Sequence, residues 1–285
     1  SVTMNAASME NSGFEFSATY RNRDHAFKYD ISANLSTLKN KVTSLGIGKD
    51  SYISGAYATY VGQEIGQFYG WVYEGIARTQ ADLDNHATQQ GVNVGDCLYK
   101  DISGPEGTPD GVIDAYDQTV LGSGLPKVNF GLSTHMEYKG FDLNISTYGV
   151  LNYHVSDDIY NSLNSCYGYG NKEVGMLDAN RWSEDGTYLS SVPRTYAANN
   201  ATLAWNDLFS SRKIQNAAYW KIANVELGYN FPDKWFGGYV SGVRLYVSAQ
   251  NLYTFTGYHG YNVDYAGGTF TPGYNFCSFP SARTF

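Results

Sequence analysis

The sequence predicts an all-β chain, an antiparallel transmembrane β-barrel segment of about six strands with long extracellular loops. Three observations predict it. Apolar and polar residues alternate with period two over stretches of about ten residues, which is longer than the five or six usual in soluble sheets. Tight turns alternate along the chain with long polar segments, the asymmetry of a barrel whose two ends differ. No stretch of the 285 residues approaches the ~20 continuous apolar residues of a membrane helix, and the mean hydropathy is −0.37. A barrel strand needs only about 10 alternating residues. A half-buried strand of a soluble sheet alternates in the same way, so strand length and loop asymmetry carry the distinction.

The strands follow in chain order. In "FEFSATY", Phe14, Phe16, Ala18 and Tyr20 share one face, and Glu15, Ser17, Thr19 and Arg21 share the other. After a short turn at 22–25, "FKYDISANL" sets Phe27, Tyr29, Ile31, Ala33 and Leu35 against Lys28, Asp30, Ser32 and Asn34. These two strands, about 12–22 and 25–36, read as a hairpin. A second hairpin spans about 128–138 and 141–150. There Val128, Phe130, Leu132, Thr134, Met136 and Tyr138 face one way, and Phe141, Leu143, Ile145 and Thr147 continue that face beyond a tight turn at Lys139-Gly140. The third pairs about 217–230 with about 242–254 across 231–241. In its first strand Trp220 and Ile222 have one parity, and Val225, Leu227 and Tyr229 the other. A bulge near Ala223 reconciles them. Its second strand alternates Val243, Leu245, Val247 and Ala249 with Arg244, Tyr246, Ser248 and Gln250. The loops then cover about 37–127, 151–216 and 255–285. If the tight turns are periplasmic, the sixth strand ends outside and one more is needed to return the chain.

Composition narrows the function. A net charge of −8 argues against nucleic acid as partner. Cys97, Cys166 and Cys277 are far apart and give neither a metal spacing nor a disulfide framework. His86, His135, His154 and His259 show no metal-ligand spacing. No phosphate loop and no nucleophile elbow is present, so the chain does not read as an enzyme. No signal peptide precedes Ser1, which reads as a processed or internal start.

The segments "GQEIGQFYGWVYEGIARTQADLDN" (62–85), "DGVIDAYDQTVLGSGLPKVNFGLS" (110–133) and "VSAQNLYTFTGYHGYNVD" (247–264) resemble the SusC/RagA family of TonB-dependent outer-membrane transporters of Bacteroidetes. "NSGFEFSATYRN", "WKIANVELGYNFP" and the closing "PSARTF" resemble further family strands and motifs, in the same order. The resemblance covers essentially the whole chain. It implies the C-terminal portion of a barrel of about 22 strands, lacking the last strand, with the plug and TonB box in a remaining N-terminal part of the same transporter. It also implies the bacterial outer membrane and its lipid as setting. A SusD-like surface lipoprotein and the TonB–ExbB–ExbD system are the implied partners. The implied function is import of a nutrient, an oligosaccharide or a peptide. The alternatives are a soluble or cell-surface β-rich glycan-binding domain without transport activity, and a secreted hydrolase.

Two groups of residues stand as site candidates. "DISGPEGTPDGVIDAYD" places Asp101, Ser103, Asp110, Asp114 and Asp117 near a glycine turn at Gly111, a pattern that suits calcium, the one cofactor the sequence brings into consideration. Pro105 and Pro109 interrupt the usual spacing, and an acidic turn held by Asx hydrogen bonds is the competing reading. Substrate contacts are expected from aromatic residues of the long loops: Tyr153, Tyr160, Tyr167, Tyr169, Trp182, Tyr188, Trp205, Tyr258 and Tyr261. Their apolar faces and polar tips suit sugar rings. Packing of loop on loop is the plainer role.

Overall fold

A computed structural model describes residues 7–46, 48–165, 192–195, 205–240, 242–264, 267–276 and 278–285. Six long strands form one antiparallel sheet: β1 (Glu15–Asn22), β2 (Phe27–Thr37), β3 (Val128–Tyr138), β4 (Phe141–Leu151), β5 (Tyr219–Asn230) and β6 (Arg244–Thr256). Their order across the sheet is their order in the chain, so the sheet is an up-and-down meander. Among the described residues β1 and β6 do not pair with each other, and the sheet is an open segment of wall, not a closed barrel.

Register aligns the alternating faces into continuous rows. On one face the middle row runs Ile31–Thr134–Ile145–Val225–Ala249. Towards the tight turns an aromatic row follows, Phe27–Tyr138–Phe141–Tyr229–Leu245. Towards the loops, Leu35, Phe130, Trp220 and Phe255 form the matching row, and Phe16 pairs with Leu35. Gly149 lies between Phe130 and Trp220, where a Cβ would sit 2.4 Å from the Phe130 ring. Among the described residues nothing covers this apolar face: Leu245 and Val247 are 68% and 69% exposed, and Phe16, Leu132, Phe141 and Leu227 are exposed as well. The eight-residue rise from Phe130 to Tyr138 separates the two aromatic rows by about 27 Å along the strand.

Local chemistry fixes the hairpins. Lys139 and Gly140 both have positive φ, 49° and 88°, the two-residue turn that matches strand twist. The bulge expected near Ala223 is present. Ser146 pairs with Asn224 and Thr147 with Ile222, so Ala223 is the extra residue. On the other side Asn251, with φ 52°, sits in the matching irregularity of β6.

The long connections build structure of their own. Ser8–Ser12 pairs with Lys39–Ser44 and prolongs the first hairpin. Thr119–Ser123, Gln67–Gly70, Tyr57–Tyr60 and Ser51–Ser54 form a four-stranded sheet, and Tyr73–Ile76 pairs with Cys97–Tyr99. "FYGWVYEGI" therefore belongs to two sheets through distant partners. Among the described residues the apolar cores are small and lie in this layer or where it meets the ends of β4 and β5. One gathers Val150, Tyr153, Val155, Ala217, Tyr219, Tyr258 and Val263. The other gathers Cys97, Tyr99 and Ile113, with Trp71, Tyr73 and Trp205 packed against them.

Candidate functional site

The second face of the six-stranded sheet is polar, and register again lines up its residues. Thr19, Ser32, Ser133, Ser146, Asn224 and Gln250 make one row. Nearer the tight turns, Arg21, Asp30, His135, Asn144, Glu226 and Ser248 make the next. Here the side chains form a connected network. His135 Nδ1 lies 2.6 Å from Asn144 Oδ1, and its Nε2 lies 2.8 Å from Glu137 Oε1. Arg244 donates to Asp142 at 2.5 and 3.1 Å and to Glu226 at 2.6 Å. Asn230 Nδ2 donates to the same Asp142 at 2.9 Å. Gly228 leaves room for this cluster, because a Cβ there would lie 2.5 Å from the Arg244 guanidinium. Arg23 pairs with Asp30 at the edge. A face carrying this many ionised groups needs water or a polar neighbour beside it.

At the loop end of the same face, Lys221 pairs across the sheet with Thr254 and with Tyr148. The Lys221 ammonium is buried and forms an ion pair with Asp264, and the Tyr148 hydroxyl donates to Asp264 at 3.2 Å. The loop after β6 is thereby folded back onto the polar face. Between wall and loop lies a cavity of about 210 Å³, lined by polar groups that include Thr254, Asn251, Asn262, Tyr261 and Arg283.

The aromatic candidates divide into three groups. Tyr153 and Tyr258 are buried in the core beneath the loops. The Tyr258 hydroxyl donates to Asp157, and Asn275 Nδ2 donates to both partners, at 3.1 Å to Asp157 and 2.8 Å to Tyr258. Burial, and then the Asp157 carboxylate, push the Tyr258 phenol well above its ordinary value. Trp205 donates its indole N–H to the Gln90 carbonyl at 2.8 Å and packs on Tyr99. Tyr160 stacks on His259 with ring centroids 5.8 Å apart. It lines a second cavity of about 220 Å³ with Tyr73, Arg212 and Lys213. Tyr261 is 61% exposed. Tyr167, Tyr169, Trp182 and Tyr188 lie outside the described residues.

The acidic turn is organised by its own backbone. Asp117 is fully buried; its Oδ1 accepts the N–H groups of Ile102 and Ser103 at 2.8 and 3.1 Å, and its Oδ2 accepts that of Asp114 at 2.8 Å. Asp114 accepts from Tyr116, Asp101 from Gly111, and Asp110 from Val112. Ser103 Oγ lies 3.4 Å from the Gly104 carbonyl. Among the described residues no three His, Cys, Asp or Glu side chains are gathered to hold a metal ion. Sequence reasoning missed Lys221, Asp264 and Asn275, and took Asp157, which is buried, for a solvated loop acid. The one signal for Lys221 was a basic residue inside an otherwise apolar strand end.

No family model matches the chain. Similarity to individual proteins is extensive. TonB-dependent receptor P3 of Formosa agariphila is 30% identical over 304 residues, covering 100% of this chain and 29% of that protein. TonB-dependent receptor SusC of Bacteroides thetaiotaomicron is 25% identical over 282 residues, covering 94% of this chain and 25% of its own length. Among solved structures, the RagAB peptide transporter superposes with a TM-score of 0.75 at 22% identity, over 98% of this chain and 28% of that one. The chain thus spans less than a third of the length of the relatives it matches.

Proposed function

We propose that the chain belongs with the SusC-like TonB-dependent receptors it resembles and is part of the barrel wall of an outer-membrane nutrient importer. The observation that supports this most directly is the uncovered apolar face of β1–β6. It is bounded by two aromatic rows about 27 Å apart along the strand. Strands tilted by 35–45° reduce that span to about 20 Å of depth, against an apolar band of about 25 Å in outer-membrane barrels. Lipid covers this face. The opposite, ionised face lines the wet lumen and meets the remaining N-terminal part of the receptor there.

The tight turns then lie on the periplasmic side, and the layer built from 39–127 and the loops after β4 and β6 stands outside the cell. A SusD-like lipoprotein closes over that layer, and TonB–ExbB–ExbD energises import. The cargo is an oligosaccharide or a peptide; a peptide transporter is among the solved structures the chain resembles.

Growth of the host on a panel of oligosaccharides and peptides tests this reading. Deleting the receptor gene abolishes growth on at least one of them, deleting TonB does the same, and growth on the corresponding monomers is retained. Unchanged growth across the whole panel overturns it.

A further inference from the structure

The first hairpin does not stop at the end of the apolar wall. Glu15 stands opposite Ser36 and Ser12 opposite Lys39, three residues further on each strand, so no residue is inserted between β1–β2 and the pair Ser8–Ser12 with Lys39–Ser44. The Thr37 N–H donates to the Phe14 carbonyl at 2.9 Å and joins the two stretches. The alternation of faces therefore runs on past the wall. On the polar side Asn34 and Ser36 are followed by Asn40 and Val42, and on the apolar side Leu35 and Thr37 are followed by Lys39 and Lys41.

Burial confirms the two sides. Val42 and Asn40 are buried, and Asn40 Oδ1 accepts the Ile65 N–H at 2.9 Å. Lys127, one residue before Val128 and so of the polar parity, reaches the same segment through its ion pair with Glu64. The loop layer thus leans over the polar side, and Lys39 and Lys41 are exposed on the other. They do not lie on an open edge. Lys39–Ser44 is flanked in the plane by Ser8–Ser12 and by residues 62–63, whose backbone exchanges bonds of 2.8 Å with Val42. The lysines in ion pairs among the described residues are Lys28, Lys127, Lys213 and Lys221; Lys39 and Lys41 are in none. Ser12 stands opposite Lys39, and Glu10 opposite Lys41. Lys39 lies four residues beyond Leu35 of the loop-side aromatic row, about 14 Å along the strand and about 11 Å in depth at a tilt of 35–45°. A lysine stem lies back along apolar surface with its charge in the polar layer, which sets the ammonium at headgroup level.

We propose that Lys39 and Lys41 bind the phosphate of a glycolipid headgroup in the outer leaflet, on the outside of the wall. The inference rests on the reading of the apolar face as the lipid-facing one. Two observations select this occupant. The lysines continue the lipid-facing parity without a break, and they are unpaired cations in a chain of net charge −8. Ammonium groups attract phosphate as point charges, and Ser12 adds a hydroxyl on the rung of Lys39. The loop layer covers the opposite side of this strand, so the pair does not face the lumen or its cargo.

The test is native mass spectrometry of the intact detergent-solubilised receptor with diphosphoryl lipid A and with dephosphorylated lipid A. The expected result is tighter binding of the phosphorylated lipid, weakened about five-fold by Lys39→Gln and about ten-fold or more when Lys41→Gln is added. Lys100→Gln, at an exposed lysine of the loop layer, leaves binding unchanged. Retained heat-modifiable migration shows that each variant is folded. Equal binding of the two lipids, or undiminished binding in the double variant, overturns the proposal. So does displacement of lipid A by inorganic phosphate at equal concentration, which makes the ligand a free anion. Loss of a co-purifying surface lipoprotein, rather than of lipid A, in the double variant overturns it as well. Lipid accessibility of β5, measured without added lipid A, fails separately if the membrane reading itself is wrong.

Discussion

Asp117 shows how one side chain can hold a loop. It is fully buried and accepts three backbone N–H groups, from Ile102, Ser103 and Asp114. Each donor left unsatisfied costs about 1–3 kcal/mol. Asp117→Ala therefore destabilises the turn by about 3 kcal/mol or more, read as faster hydrogen exchange at Ile102 and Ser103. The same amides exchanged with calcium and with chelator show whether an ion adds to this turn: equal rates mean the backbone holds it alone. Tyr258 gives a second residue-scale prediction. Its phenol is raised in the folded state by burial and by the Asp157 carboxylate. The stability it contributes is complete below the ordinary phenol value near 10 and is lost as pH rises beyond it. Tyr258→Phe flattens that alkaline loss in pH-dependent melting. The sequence left Asp117 open between an ion and the backbone, and gave no sign of the Tyr258 contact. An acid in a glycine-rich loop looks the same whether it faces an ion or the backbone, and a loop tyrosine looks the same whether it stacks on cargo or on its neighbours. The distinction comes from long-range contacts such as Tyr258 to Asp157, which no local spacing encodes.

At the scale of the element much more was legible, because period two and turn chemistry are local. The parity break between Ile222 and Val225 marked the bulge at Ala223, and the register confirms it on both sides of β5. Lys139-Gly140 marked a two-residue turn and has its dihedral angles. What the strand pattern could not give was the partner of each short strand in the loops, since Tyr73–Ile76 pairs with Cys97–Tyr99 only after an intervening helix and turns. Register also ranks positions that look alike in sequence. Ile145 lies in the middle apolar row, whereas Leu245 lies in the aromatic row beside the tight turns. Arginine at a bilayer midplane costs about 2–4 kcal/mol, falling to about 0–1 kcal/mol near the interface. Ile145→Arg should therefore lower stability in bilayers by the larger amount and Leu245→Arg by the smaller, measured by denaturant unfolding from liposomes. Equal effects would place the rows at equal depth and contradict the assignment.

For the molecule as a whole, the sheet has two free edges, at β1 and β6. β6 is already met at one point: Gln250 and Thr284 exchange backbone hydrogen bonds of 2.8 and 3.3 Å. Among the described residues the rest of both edges is unpaired, and each unpaired backbone group costs several kcal/mol in lipid. On the proposed reading, neighbouring strands of the receptor wall satisfy them. All of this depends on which face of the sheet meets lipid. The direct measurement is a nitroxide scan of β5 from Tyr219 to Asn230 in the intact receptor in liposomes, comparing collision with oxygen and with a water-soluble nickel complex. The account predicts that oxygen access peaks at Trp220 and Ile222, changes phase at Ala223, and then peaks at Val225, Leu227 and Tyr229. An alternation in the opposite phase, or oxygen access that does not change phase at Ala223, would contradict it.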